Sequence, residues 1–149
     1  MGAAPPGRQT VGMENALARP ANPLQVFVVE DSAPVRERLE ELVDSIAGAH
    51  CAGSADSATG AIAGIRRLRP DAVILDVRLS EGTGFDVMRA LRGEQPAPEF
   101  YVLSSFALEP YRRLALKLGA AAFLDKTTEM SAIRGLLEQH AARHVPRTH

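Results

Sequence analysis

From Leu24 onward the apolar residues fall into two alternating kinds of run: short blocks of about five and longer stretches at helical spacing. The short blocks predict strands at Val26-Phe27-Val28-Val29, a weaker one from Ala49 to Gly53, then Ala72-Val73-Ile74-Leu75, Phe100-Tyr101-Val102-Leu103 and Ala121-Ala122-Phe123-Leu124. The first, third and fourth are apolar without alternation, as strands covered on both faces are. Between them lie stripes with the i, i+3, i+4, i+7 spacing of one helix face. They comprise Val35, Leu39, Leu42, Val43 and Ile46; Ala58, Ile62 and Ile65; Tyr111, Leu114, Ala115 and Leu118; and Ile133, Leu136, Leu137 and His140. A shorter helix is expected near Phe85, Met88 and Leu91, and Pro110 and Gly119 punctuate the start and stop of the fourth. Five strand-then-helix units predict an α/β fold, a doubly wound five-stranded parallel sheet with helices on both faces.

Residues 1–23 hold four prolines and no sustained apolar period, and read as a flexible leader before a domain at 24–143 and a short tail at 144–149. No stretch has the roughly 18 to 20 apolar residues that a membrane helix needs, and no export signal opens the chain. Seventeen Lys plus Arg against 18 Asp plus Glu leave a net charge of -1 in 149 residues, which argues against a direct nucleic-acid or acidic-membrane partner. Cys51 is the single cysteine, so no internal disulfide forms; a buried place on the second strand and a cytoplasmic location are expected. The spacing of His140 and His144 suits a metal, but no third ligand accompanies them. Arg66, Arg67 and Arg69 read as a solvated helix end.

In a doubly wound sheet, ligands bind outside the carboxyl ends of the strands. Glu30 and Asp31 follow the first strand, Asp76 the third, Ser104 and Ser105 the fourth, and Asp125 and Lys126 the fifth. Three carboxylates gathered there repel by about 4 kcal/mol per close pair at an effective dielectric of 20. A hard divalent ion, Mg²⁺ or Mn²⁺, relieves that repulsion and takes phosphoryl oxygens as further ligands. Lys126 adds a positive charge and Ser104 a hydroxyl donor. Together these groups suit the formation of an acyl phosphate on Asp76, the carboxylate that ends a central strand. Taken singly, Glu30 and Asp31 also fit the cap and first turn of a helix.

Val28-Val29-Glu30-Asp31-Ser32, Val73-Ile74-Leu75-Asp76, Val102-Leu103-Ser104-Ser105 and Gly119-Ala120-Ala121-Ala122-Phe123-Leu124-Asp125-Lys126 together resemble the receiver domain of bacterial two-component response regulators. The likeness runs from Leu24 to near Ala142. It implies the flavodoxin-like strand order 2-1-3-4-5. It also implies that Asp76 accepts a phosphoryl group from a sensor histidine kinase or histidine phosphotransfer protein. Mg²⁺ would be held by Glu30, Asp31, Asp76 and the backbone carbonyl of Arg78, while Lys126 binds the phosphoryl group. Ser104 and Phe123 take the switch positions, with an inward turn of Phe123 on activation. Arg78, Ser105 and Phe106 lie where receivers tune hydrolysis, and Phe106 with Arg78 is expected to screen water and slow dephosphorylation. Activation is implied to repack the surface of the fourth helix, fifth strand and fifth helix, and that face, including Tyr111, Arg112, Arg113 and Lys117, would meet an unidentified downstream protein or form a phosphorylation-linked homodimer.

The chain departs from the family at Ser80 and Thr127, where proline is usual. A more mobile Ser80–Gly84 loop and a less rigid Lys126 are expected from these changes. A flavodoxin-like mononucleotide binder is disfavoured by the acidic pair after the first strand, and a haloacid dehalogenase-type hydrolase by Arg78 where a second Asp is needed. A phosphorylation-independent pseudo-receiver is a further alternative. The chain ends soon after the fifth helix without a linker, so output is expected through a partner, unless this is the receiver fragment of a longer regulator.

Overall fold

The computed structural model describes residues 22–106 and 108–144; most of the leader and of the tail lies outside them. Five strands, β1 (Leu24–Val29), β2 (Ala49–Ala55), β3 (Ala72–Asp76), β4 (Glu99–Ser104) and β5 (Ala122–Asp125), form one sheet in the order β2-β1-β3-β4-β5. Every pairing is parallel. Helices α1 (Ala33–Asp44), α2 (Ala58–Leu68), α3 (Gly84–Ala90), α4 (Glu109–Lys117) and α5 (Ala132–Arg143) make the crossovers. This is the doubly wound sheet that the alternating runs predict.

Because successive strand side chains point to opposite faces, the core divides in two. Phe27, Val29, Val73, Leu75, Phe100, Val102 and Phe123 pack against α2, α3 and α4. Val26, Val28, Ala72, Ile74, Tyr101, Leu103 and Leu124 pack against α1 and α5. β3 is buried at all five positions, whereas the edge strand β2 has no fully buried residue. That explains why β2 carries the weakest sequence pattern, and it continues past Gly53 to Ala55. Cys51 sits on it half-buried, its thiol pushed up to about 11 by burial.

Both positions where proline is usual are hydrogen-bonded. Ser80 is tied down: its N–H and hydroxyl both donate to the Asp56 carbonyl, at 3.0 and 2.9 Å. Glu81 accepts from the N–H groups of Ala58 and Thr59, and Thr83 with Asp86 forms a capping box at the start of α3. Gly82, at φ +76°, makes the turn between these anchors. Thr127 behaves similarly, its N–H and hydroxyl both donating to Asp125 Oδ1 at 2.9 and 2.7 Å. This local turn, with the Lys126 N–H bound to the Ser104 carbonyl at 2.8 Å, fixes the backbone that carries Lys126.

At the opposite end of the sheet, His140 is 7% exposed, with Nδ1 2.9 Å from the Tyr101 hydroxyl and Nε2 3.6 Å from Glu99. Arg143 bonds the same Glu99, and His144 Nε2 lies 3.9 Å from Asp71. The two histidines therefore face different partners rather than one metal. Burial holds the His140 imidazole below the ordinary value of 6.5, against the pull of Glu99 and with the help of Arg143. Above that value both folded and unfolded chains hold it neutral. As pH falls below it the unfolded chain binds the proton first, so stability drops until the folded value is passed. Thermal unfolding at about pH 7.5 and about pH 5.5 should show a loss for the wild type that is smaller in His140→Gln. An identical loss in both proteins would contradict this assignment.

Candidate functional site

β1 and β3 are adjacent, so their carboxyl ends deliver Glu30, Asp31 and Asp76 side by side. Glu30 is fully buried and Asp76 5% exposed, while Asp31 faces solvent. Each offers one carboxylate oxygen to a group lying within 4.8 Å. Among the described residues this is the acidic cluster able to hold a metal ion. The capping alternative does not hold for the pair: Ser32 caps α1, accepting from the Val35 N–H at 3.4 Å. Glu30 is oriented separately, with Oε2 accepting from the Ser32 N–H at 3.1 Å and its carbonyl accepting from Arg36 at 2.9 Å.

Lys126, at the end of β5, reaches across to the cluster. Its Nζ lies 2.9 Å from Asp76 Oδ2 and 2.7 Å from Glu30 Oε1. The first contact is a hydrogen bond; the second is an ion pair, and Glu30 Oε1 is buried without an aligned donor. Burial pushes the Glu30 carboxyl above its ordinary range, reinforced by the charge on Asp76 and opposed by Lys126. Burial works against the Lys126 ammonium, yet the two carboxylates hold it above its ordinary value. One lysine against three carboxylates leaves a net negative pocket. Three carboxylates that share one ammonium, with Asp31 open to solvent, are a donor set that fits a hard divalent cation.

Gly84, which the sequence reading passed over, backs the central carboxylate. A Cβ there would lie 2.5 Å from the Asp76 carbonyl oxygen and 3.0 Å from Leu75 Cγ, so only glycine lets α3 begin this close to β3. Its sequence signal is faint: a glycine at the first position of a short helix. Arg78 follows β3 and bridges to Thr83 across the turn, and its guanidinium lies 4.7 Å from the centre of the exposed Phe106 ring. The long cation and the aromatic ring thus meet, each two residues along the chain from a pocket residue, Asp76 and Ser104. Ser105 is exposed.

Ser104 is 1% exposed, and its hydroxyl is turned onto its own loop, donating to the Phe106 carbonyl at 2.8 Å and accepting from the Phe106 N–H at 3.0 Å. Phe123 is 4% exposed and already packed inward, so burying its ring requires no inward turn. The expected partner face divides. Arg113 and Lys117 are exposed, but Tyr111 packs edge-on against Phe85 at 6.0 Å between centroids, and Arg112 folds over Phe123. Helical spacing placed all four on α4; it did not reveal that two of them turn toward the sheet. Arg66 is no free cation either, since it donates twice to Glu94, at 3.0 and 2.8 Å.

A sheet of this order with an acidic pocket and a lysine at its carboxyl edge defines a class, and comparison with known proteins gives the same answer. The chain belongs to the response regulator receiver domain family of two-component systems, whose sequence model matches residues 26–138. It is 34% identical over 105 residues to protein-glutamate methylesterase/protein-glutamine glutaminase 1 of Syntrophus aciditrophicus, covering 69% of this chain and 30% of that protein. It is 30% identical over 129 residues to the DNA-binding transcriptional activator DevR/DosR of Mycobacterium tuberculosis, covering 80% and 59%. The chain therefore spans about a third to three fifths of these relatives. Among solved structures, the signal receiver domain of the M. tuberculosis regulator NarL superposes with a TM-score of 0.74 at 24% identity, covering 83% of this chain and 99% of that one. The response regulator domain of Thermotoga maritima CheB gives 0.71 at 23%, with the same coverages. Among the described residues no helix is long and apolar enough to cross a membrane.

Replacing Gly84 by Ala should push α3 off the Asp76 carbonyl and cost about 1–3 kcal/mol, the usual range for overpacking. Denaturant unfolding checks it, and a variant as stable as the wild type would contradict the close approach.

Proposed function

We propose that this protein is a phosphoacceptor of two-component signalling that carries its phosphoryl group on Asp76. The observation that carries the reading is Lys126 Nζ, held 2.9 Å from Asp76 and 2.7 Å from Glu30 beside a third carboxylate, Asp31. An Asp76 oxygen attacks the phosphorus of a phosphohistidine on a sensor kinase or phosphotransfer protein. The O–P bond forms as the imidazole N–P bond breaks, and the imidazole leaves with the electron pair. Lys126 sits where its ammonium can exchange the Asp76 carboxylate for a phosphoryl oxygen. The Ser104 hydroxyl, freed from Phe106, supplies a second donor. Glu30, Asp31, Asp76 and the Arg78 carbonyl would hold Mg²⁺ or Mn²⁺, which when bound neutralises charge on the phosphoryl oxygens.

The output is a change in the surface of α4, β5 and α5, where Arg113, Lys117 and the half-exposed Leu116 of α4 are available to a downstream protein or a second copy. The reaction belongs to the cytoplasm, where kinases and phosphotransfer proteins carry phosphohistidine.

Incubation with Mg²⁺ and acetyl phosphate should add one phosphoryl mass to the wild type and none to Asp76→Asn. Equal gain in both proteins, or gain in neither, contradicts the proposal. The Arg78–Phe106 pair screens the pocket from water, so Phe106→Ala should shorten the half-life of the phosphorylated protein roughly three- to tenfold, equivalent to about 0.7–1.4 kcal/mol of barrier. An unchanged half-life would remove Phe106 from that role.

A further inference from the structure

α4 is the most lightly anchored helix of the domain. It buries only Ala115 completely, and its cap residue Leu108 makes no side-chain hydrogen bond. Tyr111, Leu114 and Leu118 lie partly buried against the core, while Leu108 and Leu116 stay exposed. Among the described residues its side-chain hydrogen bond to the sheet comes from Arg112. The guanidinium donates from Nη1 to the Phe123 carbonyl at 3.1 Å and lies 5.0 Å from the centre of the same residue's ring. One side chain therefore grips both the backbone and the aromatic face of a β5 residue.

The chain leading into this grip begins at the pocket. Ser104 ends β4 with its hydroxyl engaged by Phe106, and Leu108 caps α4 four residues later. Arg112 stands one turn further on, where Leu108 accepts its backbone N–H at 3.1 Å. A turn of the Ser104 hydroxyl toward Asp76 would break both of its bonds to Phe106, two residues before the Leu108 cap. Phe123 is 4% exposed, so the ring that Arg112 covers is packed within the core.

We propose that Arg112 is a positioning residue, a clamp that holds α4 against β5 in the resting arrangement and opens when Asp76 carries a phosphoryl group. This rests on the phosphoacceptor reading of Asp76. Opening would release a cation and a helix surface together, so the clamp also determines when α4 can meet its partner. By linkage, whatever stabilises the resting arrangement lowers affinity for a phosphoryl group to the same degree.

The test compares wild type, Arg112→Met and Arg112→Lys by amide hydrogen exchange across α4 and by calorimetric titration with beryllofluoride in Mg²⁺. Methionine retains an unbranched apolar stem but removes the donors and the charge; lysine keeps the charge and loses the planar fork. Arg112→Met should raise α4 exchange without beryllofluoride about tenfold, toward the level of the loaded wild type, and tighten beryllofluoride binding about three- to tenfold. Arg112→Lys should fall between the two. The rise in exchange should persist in an Asp76→Asn background, where no adduct forms. A purely structural role would lower melting temperature without changing beryllofluoride affinity. If the wild type binds beryllofluoride and the variants match it in α4 exchange and affinity, the clamp is overturned while the phosphoacceptor reading stands. If the wild type shows no binding that depends on Asp76, the phosphoacceptor reading itself fails.

Discussion

Two buried carboxylates, Glu30 and Asp76, share the ammonium of Lys126 at contacts of 2.7 and 2.9 Å, and the pocket is organised around this shortage of positive charge. A like-charged pair about 4 Å apart costs about 4 kcal/mol at an effective dielectric of 20, and removing one partner of a buried ion pair costs about 3–5 kcal/mol. The fold therefore has to hold all three groups in place. It does so by putting Glu30 and Asp76 at the ends of β1 and β3, two adjacent interior strands of the sheet, and by pinning the backbone of Lys126 to Ser104. Asp31, exposed on the same edge, keeps the pocket net negative and open. An arrangement short of positive charge is receptive to a divalent cation and to a phosphoryl group bound with it.

The rest of the domain links that pocket to its surface. Odd and even strand positions send side chains to separate cores, one under α1 and α5 and one under α2, α3 and α4. Four of the five strands contribute to the pocket: β1 and β3 bring the acids, β4 the serine and β5 the lysine. The loop after β4 leads directly to the lightly held α4. The buried strands are the rigid part, and α4 is the part whose position can respond.

Much of this is legible in the chain. Apolar blocks followed directly by Glu30, Asp76, Ser104 and the pair Asp125-Lys126 mark both the parallel sheet and its working edge, because burial on two faces and a polar carboxyl end write themselves into adjacent residues. What the chain hides is the direction of long side chains and the partners of loop groups. Arg112 and Arg113 are indistinguishable as letters, yet one covers Phe123 and the other faces water. Ser80 and Thr127 read as missing prolines, but bonds to Asp56 and Asp125 hold those loops. Gly84 escapes notice because its role depends on how closely a helix passes another strand's carbonyl, a distance no local pattern encodes.

The consequence expected of so negative a pocket is uptake of a divalent cation. It is tested most directly by titrating Mg²⁺ calorimetrically into wild type, Asp31→Asn and Asp76→Asn under identical salt. Saturable binding to the wild type that either substitution weakens at least about tenfold is the predicted result, since each removes a carboxylate from the shell. Binding of equal strength to all three proteins, or none to the wild type, would contradict it.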